Sequence, residues 1–260
     1  MKKFELTSEF VTFLGKTLFR IKALVSFGDV AEGELGGFIE RENNLDQSGD
    51  AWVYGDARVF GNARVFGNAR VYGDAQVSGN ARVFGNAQVF GDAWVYGNAW
   101  VYGNAWVYGD AWVFGNAWVY GDARVYGDAQ VYGDAWVYGN ARVYGDAQVF
   151  GNAWVYGDAR VYGDAQVFGD AQVYGDAWVY GNAWVQNCRD YSATSCFGSE
   201  NRTTTFFRTK DGGISVRCGC FYGTLREFRE KVKERHGDSR LAKEYLMLAD
   251  LMEFRLSKDE

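Results

Sequence analysis

Four cysteines and one histidine are the residues of this 260-residue chain best suited to hold a soft metal ion or to act as nucleophile or base. The cysteines occur with Cys-x7-Cys and Cys-x-Cys spacings, at Cys188, Cys196, Cys218 and Cys220. Structural zinc sites favour cysteine pairs with about two to four residues between them. We therefore expect reduced cysteines buried in a small core, keep a zinc site as the alternative, and expect no cofactor.

His236 is the single histidine, and it lies beyond the repetitive middle of the chain. The repeats themselves contain no side chain whose ordinary pKa is close to neutrality. General acid-base catalysis at physiological pH depends on such a group. The sequence therefore predicts a protein that is not an enzyme.

Seven aspartates recur at intervals of 18 residues and form what we call the Asp column: Asp56, Asp74, Asp92, Asp110, Asp128, Asp146 and Asp164. Carboxylates stacked about 4.8 Å apart repel one another by roughly 1 kcal/mol per neighbouring pair. We interpret the column as a solvated, solubilising edge, with a site for a divalent cation or a basic partner as the alternative. The repeats hold 13 Asp against 7 Arg, a charge density far below the one charge per about 1.7 Å of duplex DNA, so DNA mimicry is not favoured.

Four tryptophans share the same interval of 18 and form what we call the Trp face: Trp100, Trp118, Trp136 and Trp154. Arginine and glutamine occupy the corresponding positions of two neighbouring rows, as in Arg142 and Gln148. Aromatic residues in register exceed the scattered apolar exposure of a monomer. The Trp face is therefore the candidate binding surface. Lateral self-association, another protein and a glycan stacked on the rings are its three candidate partners.

The element that positions these rows is a repeat of Gly-(Asp/Asn)-Ala-X-Val-(Tyr/Phe), which runs from Gly49 to Val185 as 23 hexads without an insertion. Ala and Val, two residues apart, point to the same side of a strand. They must point inward, because X is Trp, Arg or Gln, which a narrow interior cannot hold. Gly followed by Asp or Asn turns a corner after each strand. Three hexads make one coil, and the coils form a solenoid.

This pattern resembles the left-handed parallel β-helix of the hexapeptide-repeat superfamily (bacterial transferase hexapeptide type). That family places a small residue four positions after an aliphatic one, as Ala57 follows Val53. The aromatic residue directly after the aliphatic one is a departure. The resemblance implies an all-β, left-handed triangular solenoid and side-by-side homo-oligomers, such as trimers. Acyltransferases of the superfamily use a coil histidine between subunits, which this chain lacks; an acyltransferase-like enzyme is the alternative function.

We divide the chain into an N-terminal cap with degenerate coils (1–48), the hexapeptide-repeat β-helix (49–186) and a small C-terminal α+β module (187–260). In the cap, Leu45 falls in the Ala register of the hexads. In the module, strands over 203–209 and 214–218 are joined by a Lys-Asp-Gly-Gly turn. A capping box at Thr224 opens a helix that ends at Gly237, and a second helix covers about 240–254. The predicted order is ββαα.

The cap, the aromatic hexads and the stretches 219–228 and 236–238 resemble uncharacterised phage and prophage hexapeptide-repeat proteins. The first residues of the sequence lack the continuous apolar stretch and the small-residue cleavage site that are typical of a signal peptide, and the sequence contains no apolar run of about 20 residues and no basic stripe. We therefore expect a protein of the bacterial cytoplasm with neither a membrane nor a nucleic acid as partner. The predicted function is a non-catalytic scaffold that binds itself or a host protein, in the second case as an inhibitor; a glycan-binding Trp face is a further alternative.

Overall fold

A computed structural model describes residues 2–257, and it contains a solenoid of about eight coils followed by a small module with an antiparallel sheet and two helices. The predicted fold class is confirmed. The coils contribute 23 short strands, β4 to β26 in chain order, which form three parallel sheets. Within each sheet a strand pairs with the strand one coil away, three hexads along the chain, as Trp118 pairs with Trp136.

The three faces of the solenoid are named by the residues that recur on them. The sheet that carries the Trp face consists of β6 (Arg64–Val65), β9 (Arg82–Val83), β12 (Trp100–Val101), β15 (Trp118–Val119), β18 (Trp136–Val137), β21 (Trp154–Val155) and β24 (Gln172–Val173). The Arg face consists of β4 (Trp52–Val53), β7 (Arg70–Val71), β10 (Gln88–Gly91), β13 (Trp106–Gly109), β16 (Arg124–Tyr126), β19 (Arg142–Tyr144), β22 (Arg160–Tyr162) and β25 (Trp178–Tyr180). The Gln face consists of β5 (Arg58–Val59), β8 (Gln76–Val77), β11 (Trp94–Val95), β14 (Trp112–Val113), β17 (Gln130–Val131), β20 (Gln148–Val149), β23 (Gln166–Val167) and β26 (Trp184–Val185).

Ala and Val of the hexads fill the interior, as predicted: Ala117 and Val119, for example, have no solvent-exposed surface. Each buried Val contributes on the order of 1.5–3 kcal/mol relative to an exposed one. The chain can turn at each corner because the turn glycine has a left-handed backbone conformation, with φ of 72° at Gly115. A Cβ there would lie 2.9 Å from the backbone nitrogen of Gly133 in the next coil. Glycine is thus required both by conformation and by the spacing between coils.

The N-terminal cap continues the sheet of the Gln face with three strands, β1 (Phe4–Phe13), β2 (Lys16–Ala23) and β3 (Leu35–Ile39), followed by a 3-10 helix at Glu42–Asn44. β1 and β2 are antiparallel, and β3 pairs with β5 in parallel. The assignment of Leu45 to the Ala register is wrong. Leu45 pairs with Val65 and occupies a Val position, because the link to the first regular hexad is two residues longer than the repeat.

The cap covers the first edge of the solenoid. Trp52 is fully buried and meets the rings of Phe4 and Phe27 edge-on, at centroid distances of 6.2 and 5.4 Å. The Lys3 ammonium group donates hydrogen bonds to the carbonyl oxygens of Ser48, Gly49 and Ala51 at 3.4, 3.2 and 3.0 Å. Burial lowers the pKa of Lys3 to about 8. An open strand edge would invite pairing with another chain, and the cap covers the first regular coil so that β1 becomes the outermost strand of this sheet.

The C-terminal module contains four strands and two helices. They are β27 (Tyr191–Phe197), β28 (Arg202–Arg208), β29 (Ile214–Cys218), β30 (Phe221–Thr224), α1 (Leu225–His236) and α2 (Arg240–Leu256). The turn between β28 and β29, the capping box of α1 at Thr224 and both helices are confirmed. The ββαα order is wrong by two strands. β27 is rich in Ser, Thr and Ala, and β30 has only four residues, so neither carries a clear pattern of alternating apolar residues.

The module covers the last coil. Thr209 forms an antiparallel bridge with Ala183, and the Lys210 amide donates to the Asn182 carbonyl at 3.0 Å. Phe207 is fully buried in the same core as the coil valines. The second edge of the solenoid is therefore occupied by the chain's own β28 region. Within residues 2–257, neither helix combines the length and the apolar character of a membrane span.

Candidate functional site: the Trp face

The four tryptophans of the Trp face lie in one stack. Their strands pair in register, from Trp100 through Trp118 and Trp136 to Trp154. Successive ring centroids are 5.0, 5.0 and 5.1 Å apart, and the ring planes differ by 0°, 2° and 7°. The repeat of three hexads therefore places identical rings one coil apart, with parallel planes.

Stacking determines which part of each ring is available. The flat faces of Trp118 and Trp136 are directed at their neighbours in the stack, so solvent reaches mainly the ring edges. All four side chains are half-buried. Tyr102 and Tyr120 meet Trp118 and Trp136 edge-on, at 6.2 and 6.3 Å. A ring edge carries partial positive charge, whereas its face is negative. The Trp face is thus a row of ring edges on a rigid support.

The stack has a defined start and end. At one end the guanidinium of Arg82 lies 4.9 Å from the centre of the Trp100 ring, a cation–π contact. At the other end Trp154 pairs with Gln172, and the aromatic row ends there. The corner tyrosines beside the row form a parallel stack of their own, with centroid distances of 4.9 to 5.0 Å from Tyr102 to Tyr156. Aromatic side chains thus cover four coils without interruption.

A second tryptophan pair on the Gln face was not predicted as a site. Trp94 and Trp112 stack at 5.5 Å with an angle of 12°, and Trp112 is 39% exposed. Their spacing of 18 residues is visible in the sequence. The pair is shorter than the row on the Trp face, and Gln130 continues it in the next coil. The pair is therefore a matched comparison for the Trp face.

The Arg face presents cations beside aromatic rings. Arg124, Arg142 and Arg160 pair in register. Arg124 lies over Trp106 at 4.8 Å and Arg160 over Trp178 at 4.5 Å. Half-burial raises the pKa of Tyr144, in the adjoining corner column, to about 12. These side chains can make cation–π and stacking contacts, but they have no ordinary pKa near neutrality.

The Asp column lies on the edge between the Arg face and the Gln face, and its seven residues are exposed. On the other two edges asparagines form ladders, as in the hydrogen bonds from Asn80 to Asn98 and from Asn98 to Asn116, at 2.9 and 3.0 Å. Carboxylates cannot donate, so the Asp column has no such ladder. Within residues 2–257, no three Asp, Glu, His or Cys side chains come together in a group that could hold a metal ion.

The cysteines do not form a buried cluster, and this prediction is wrong. Cys188, Cys196 and Cys220 are exposed, and Cys218 is half-buried. Cys196 lies at a bulge of β27 with φ of 56°, and Cys220 lies in the turn before β30. Positions in turns and bulges leave their side chains at the surface of the module. The ring of His236, at the end of α1, is stacked on Tyr245 at 5.6 Å.

The fold and its repeated faces define a β-solenoid repeat protein. A family model described as the YdcK beta solenoid repeat matches residues 63–77, 75–89, 87–103, 117–133, 129–145, 135–151, 147–163, 153–169 and 171–187. The coils of this chain are thus similar to that repeat. A comparison with curated proteins gives no match. The resemblances to hexapeptide-repeat transferases and to phage proteins stay predictions.

Proposed function

We propose that this β-solenoid is a non-catalytic scaffold that acts through protein contacts made by its Trp face. The observation that carries the proposal is the stack of four half-buried tryptophans with their edges outward, extended by a parallel stack of tyrosines. Tryptophan and tyrosine are enriched at the energetic centres of protein interfaces. The rows are already ordered within the coil, so binding costs little side-chain entropy.

Two alternatives are less well supported. A sugar ring stacks on the flat face of an aromatic side chain, and the faces of Trp118 and Trp136 are occupied by neighbouring rings. An acyltransferase-like reaction would need a general base in the coils, whereas the single histidine, His236, lies in the module. We therefore propose self-association as the primary contact. A bacterial host protein, inhibited by binding, is the second partner, and it rests on the resemblance to phage proteins.

Mass in solution tests the proposal. Trp118→Gln combined with Trp136→Gln removes the centre of the stack, and glutamine is native to the same sheet at Gln172. The matched control is Trp94→Gln with Trp112→Gln, the same change on the Gln face. We expect light scattering to give an oligomer for the wild type and the control, and a monomer for the Trp-face variant. A circular dichroism spectrum that keeps its β signal verifies folding.

The outcomes distinguish self-association from binding of a host protein. If all three proteins are monomers, self-association is wrong. A host protein that the wild type and the control retain from a bacterial lysate, and the Trp-face variant does not, would then support the second partner. If the Trp-face variant and the control behave alike in both experiments, the Trp face is not the contact surface.

A further inference from the structure

The C-terminal module contains a concave pocket of about 490 Å³ that is lined by residues of its sheet, of α1 and of α2, and none of these residues belongs to the Trp face. Its apolar floor is formed by aromatic and aliphatic side chains, namely Phe197, Phe221, Phe228, Val232 and Tyr245. The Phe228 ring meets those of Phe221 and Tyr245 at 5.6 and 5.9 Å. Small-molecule sites are concave, mostly apolar and of roughly 300–1,000 Å³. The volume of this pocket lies within that range, and its floor is apolar as in such sites.

The rim of the pocket is basic. Arg202 at the start of β28 and Lys231 and Arg235 on α1 line it, together with one carboxylate, Glu200. Lys231 and Arg235 are four residues apart and share one side of the helix, an arrangement that is unfavourable for like charges. A basic last turn suits the dipole of α1, and Lys233 also lies in that turn. The dipole does not explain why Arg202, from a strand, adds a third cation.

These cations make at most weak ion pairs with other side chains of the module. Arg202 lies 3.9 Å from Glu200, and both side chains are more than half exposed. Lys231 pairs with Glu234 on its own helix at 2.8 Å, again at an exposed position. Exposed pairs of this kind contribute little, about 0–1 kcal/mol. The described residues offer Arg235 no ion pair. The rim can therefore reorient toward an anion at small cost.

Tyr245 adds a polar group within the floor. It is 5% exposed, and its hydroxyl oxygen accepts a hydrogen bond from the Ser199 amide at 3.1 Å. A phenol both donates and accepts, and no residue that the structure describes accepts the Tyr245 proton. The His236 ring covers one side of the phenol at 5.6 Å. The pocket thus combines an apolar floor, a buried donor and a cationic rim.

We infer that the C-terminal pocket binds a small organic anion, with the apolar body of the ligand on the aromatic floor and its carboxylate, sulfonate or phosphate group at the Arg202, Lys231 and Arg235 rim. The apolar body contributes affinity by leaving water. The anionic group contributes selectivity, because charge-assisted hydrogen bonds to guanidinium and ammonium groups are the stronger ones. This site is independent of the Trp face.

Two dyes that differ by one charged group test the inference on the full chain. 8-Anilinonaphthalene-1-sulfonate carries an aromatic body and a sulfonate, and N-phenyl-1-naphthylamine is the same body without the charge. We expect fluorescence titration to show tighter binding of the sulfonate. Lys231→Gln with Arg235→Gln should weaken binding of the sulfonate roughly tenfold and leave the uncharged dye within about twofold. Raised salt should weaken the sulfonate alone.

The control is Arg226→Gln with Lys233→Gln, which removes the same charge from the same helix at exposed positions outside the pocket. It should leave both dyes unaffected. The Trp118→Gln, Trp136→Gln variant should also keep the sulfonate affinity, which separates this site from the Trp face. Equal binding of the two dyes by the wild type, or equal loss in the pocket variant and the control, would overturn the inference.

Discussion

The coils and the C-terminal module differ in which residues become neighbours. In the coils each side chain meets its counterparts in the coils before and after it, and the partners are often identical, as in Val119 between Val101 and Val137. In the module the neighbours are unlike and far apart in sequence, as in Phe197 against Tyr245. Translation of one coil produces straight rows on flat faces. Packing of helices on an antiparallel sheet leaves concave space.

Because of this difference, the coils and the module are suited to binding different kinds of partner. A flat face with repeated rings suits a large, flat partner, whereas a pocket with an apolar floor and a charged rim suits a small ligand. The same difference also separates two kinds of stability. The stability of a solenoid is a sum over coils with coupling between neighbours, whereas a small α+β domain unfolds as one unit.

The interior of the coil gives the largest effect. Val119→Asp places a carboxylate where no solvent and no polar partner is available, because the side chain is fully buried among valines and alanines. We expect a loss of at least about 4 kcal/mol of unfolding free energy. Trp118→Ala, on the outside of the same strand, loses two stacked neighbours and one edge contact. We expect it to cost about 1–2 kcal/mol, measured by urea unfolding of both variants.

The corresponding change in the module is Val216→Asp, at a fully buried position on β29. We expect it to remove the helical circular dichroism of α1 and α2 while the β signal of the coils persists. If Val216→Asp abolishes both signals together, coils and module form one cooperative unit, and the contrast between them is wrong. If Val119→Asp and Trp118→Ala unfold at the same urea concentration, the inward and outward assignment fails.

The sequence predicted the coils well and the module only partly, for one physical reason. A period of three hexads specifies which residues stack, so the rows of Trp, Arg and Asp followed from spacing alone. It does not specify ring orientation, so the half-burial of Trp118 and the covered ring faces were not foreseen. The pocket depends on Arg202, Arg235 and Tyr245, which come together only when α1 and α2 pack on the sheet. No local sequence pattern indicates that distant residues will become neighbours in the folded module. The strand β27 was missed because it too lacks a recognisable pattern, namely alternating apolar residues.

The tyrosine columns predict that the coils lose stability at alkaline pH. Burial raises the pKa of Tyr144 to about 12, and that of Tyr162 in the next coil is raised for the same reason. Above the ordinary pKa of about 10, the unfolded chain loses these protons first and binds fewer protons than the folded one. The contribution of these two tyrosines to stability is therefore constant below about pH 9 and is lost between about pH 10 and 12.

Tyr144→Phe with Tyr162→Phe should remove part of that loss. Phenylalanine is native to the same column at Phe90, so the stack should persist. We expect the variant to regain about 1 kcal/mol at pH 11, or roughly 3 °C in melting midpoint, after allowance for partial exposure. At pH 7 it should match the wild type. Tyr174→Phe is the control, because that side chain is 51% exposed, and an equal gain from it would contradict the role of burial.

The smallest expected change in unfolding free energy comes from substitutions on the edges of the solenoid. Asp110→Asn, between Asp92 and Asp128, removes one charge from a row of like charges and introduces an amide donor. The other edges provide the precedent, because the amides of Asn104 and Asn116 donate to the carboxylates of the next coil at 2.9 Å. Relief of repulsion and one exposed hydrogen bond together should raise unfolding free energy by about 0.5–1 kcal/mol. Asn98→Asp, which removes the donor of the bond to Asn116, should lower it by a similar amount.

Salt distinguishes the two contributions. The repulsion within the Asp column is screened, since the Debye length falls to about 3 Å at 1 M ionic strength, whereas the amide bond persists. The gain from Asp110→Asn should therefore shrink in 1 M NaCl without vanishing, as measured by thermal or urea unfolding at both salt concentrations. A gain that disappears completely would mean that the amide forms no ladder on this edge. A loss of stability at low salt would mean that the Asp column is held by a bound cation or basic group, the alternative to a solvated edge, because the substitution would then remove one of its ligands.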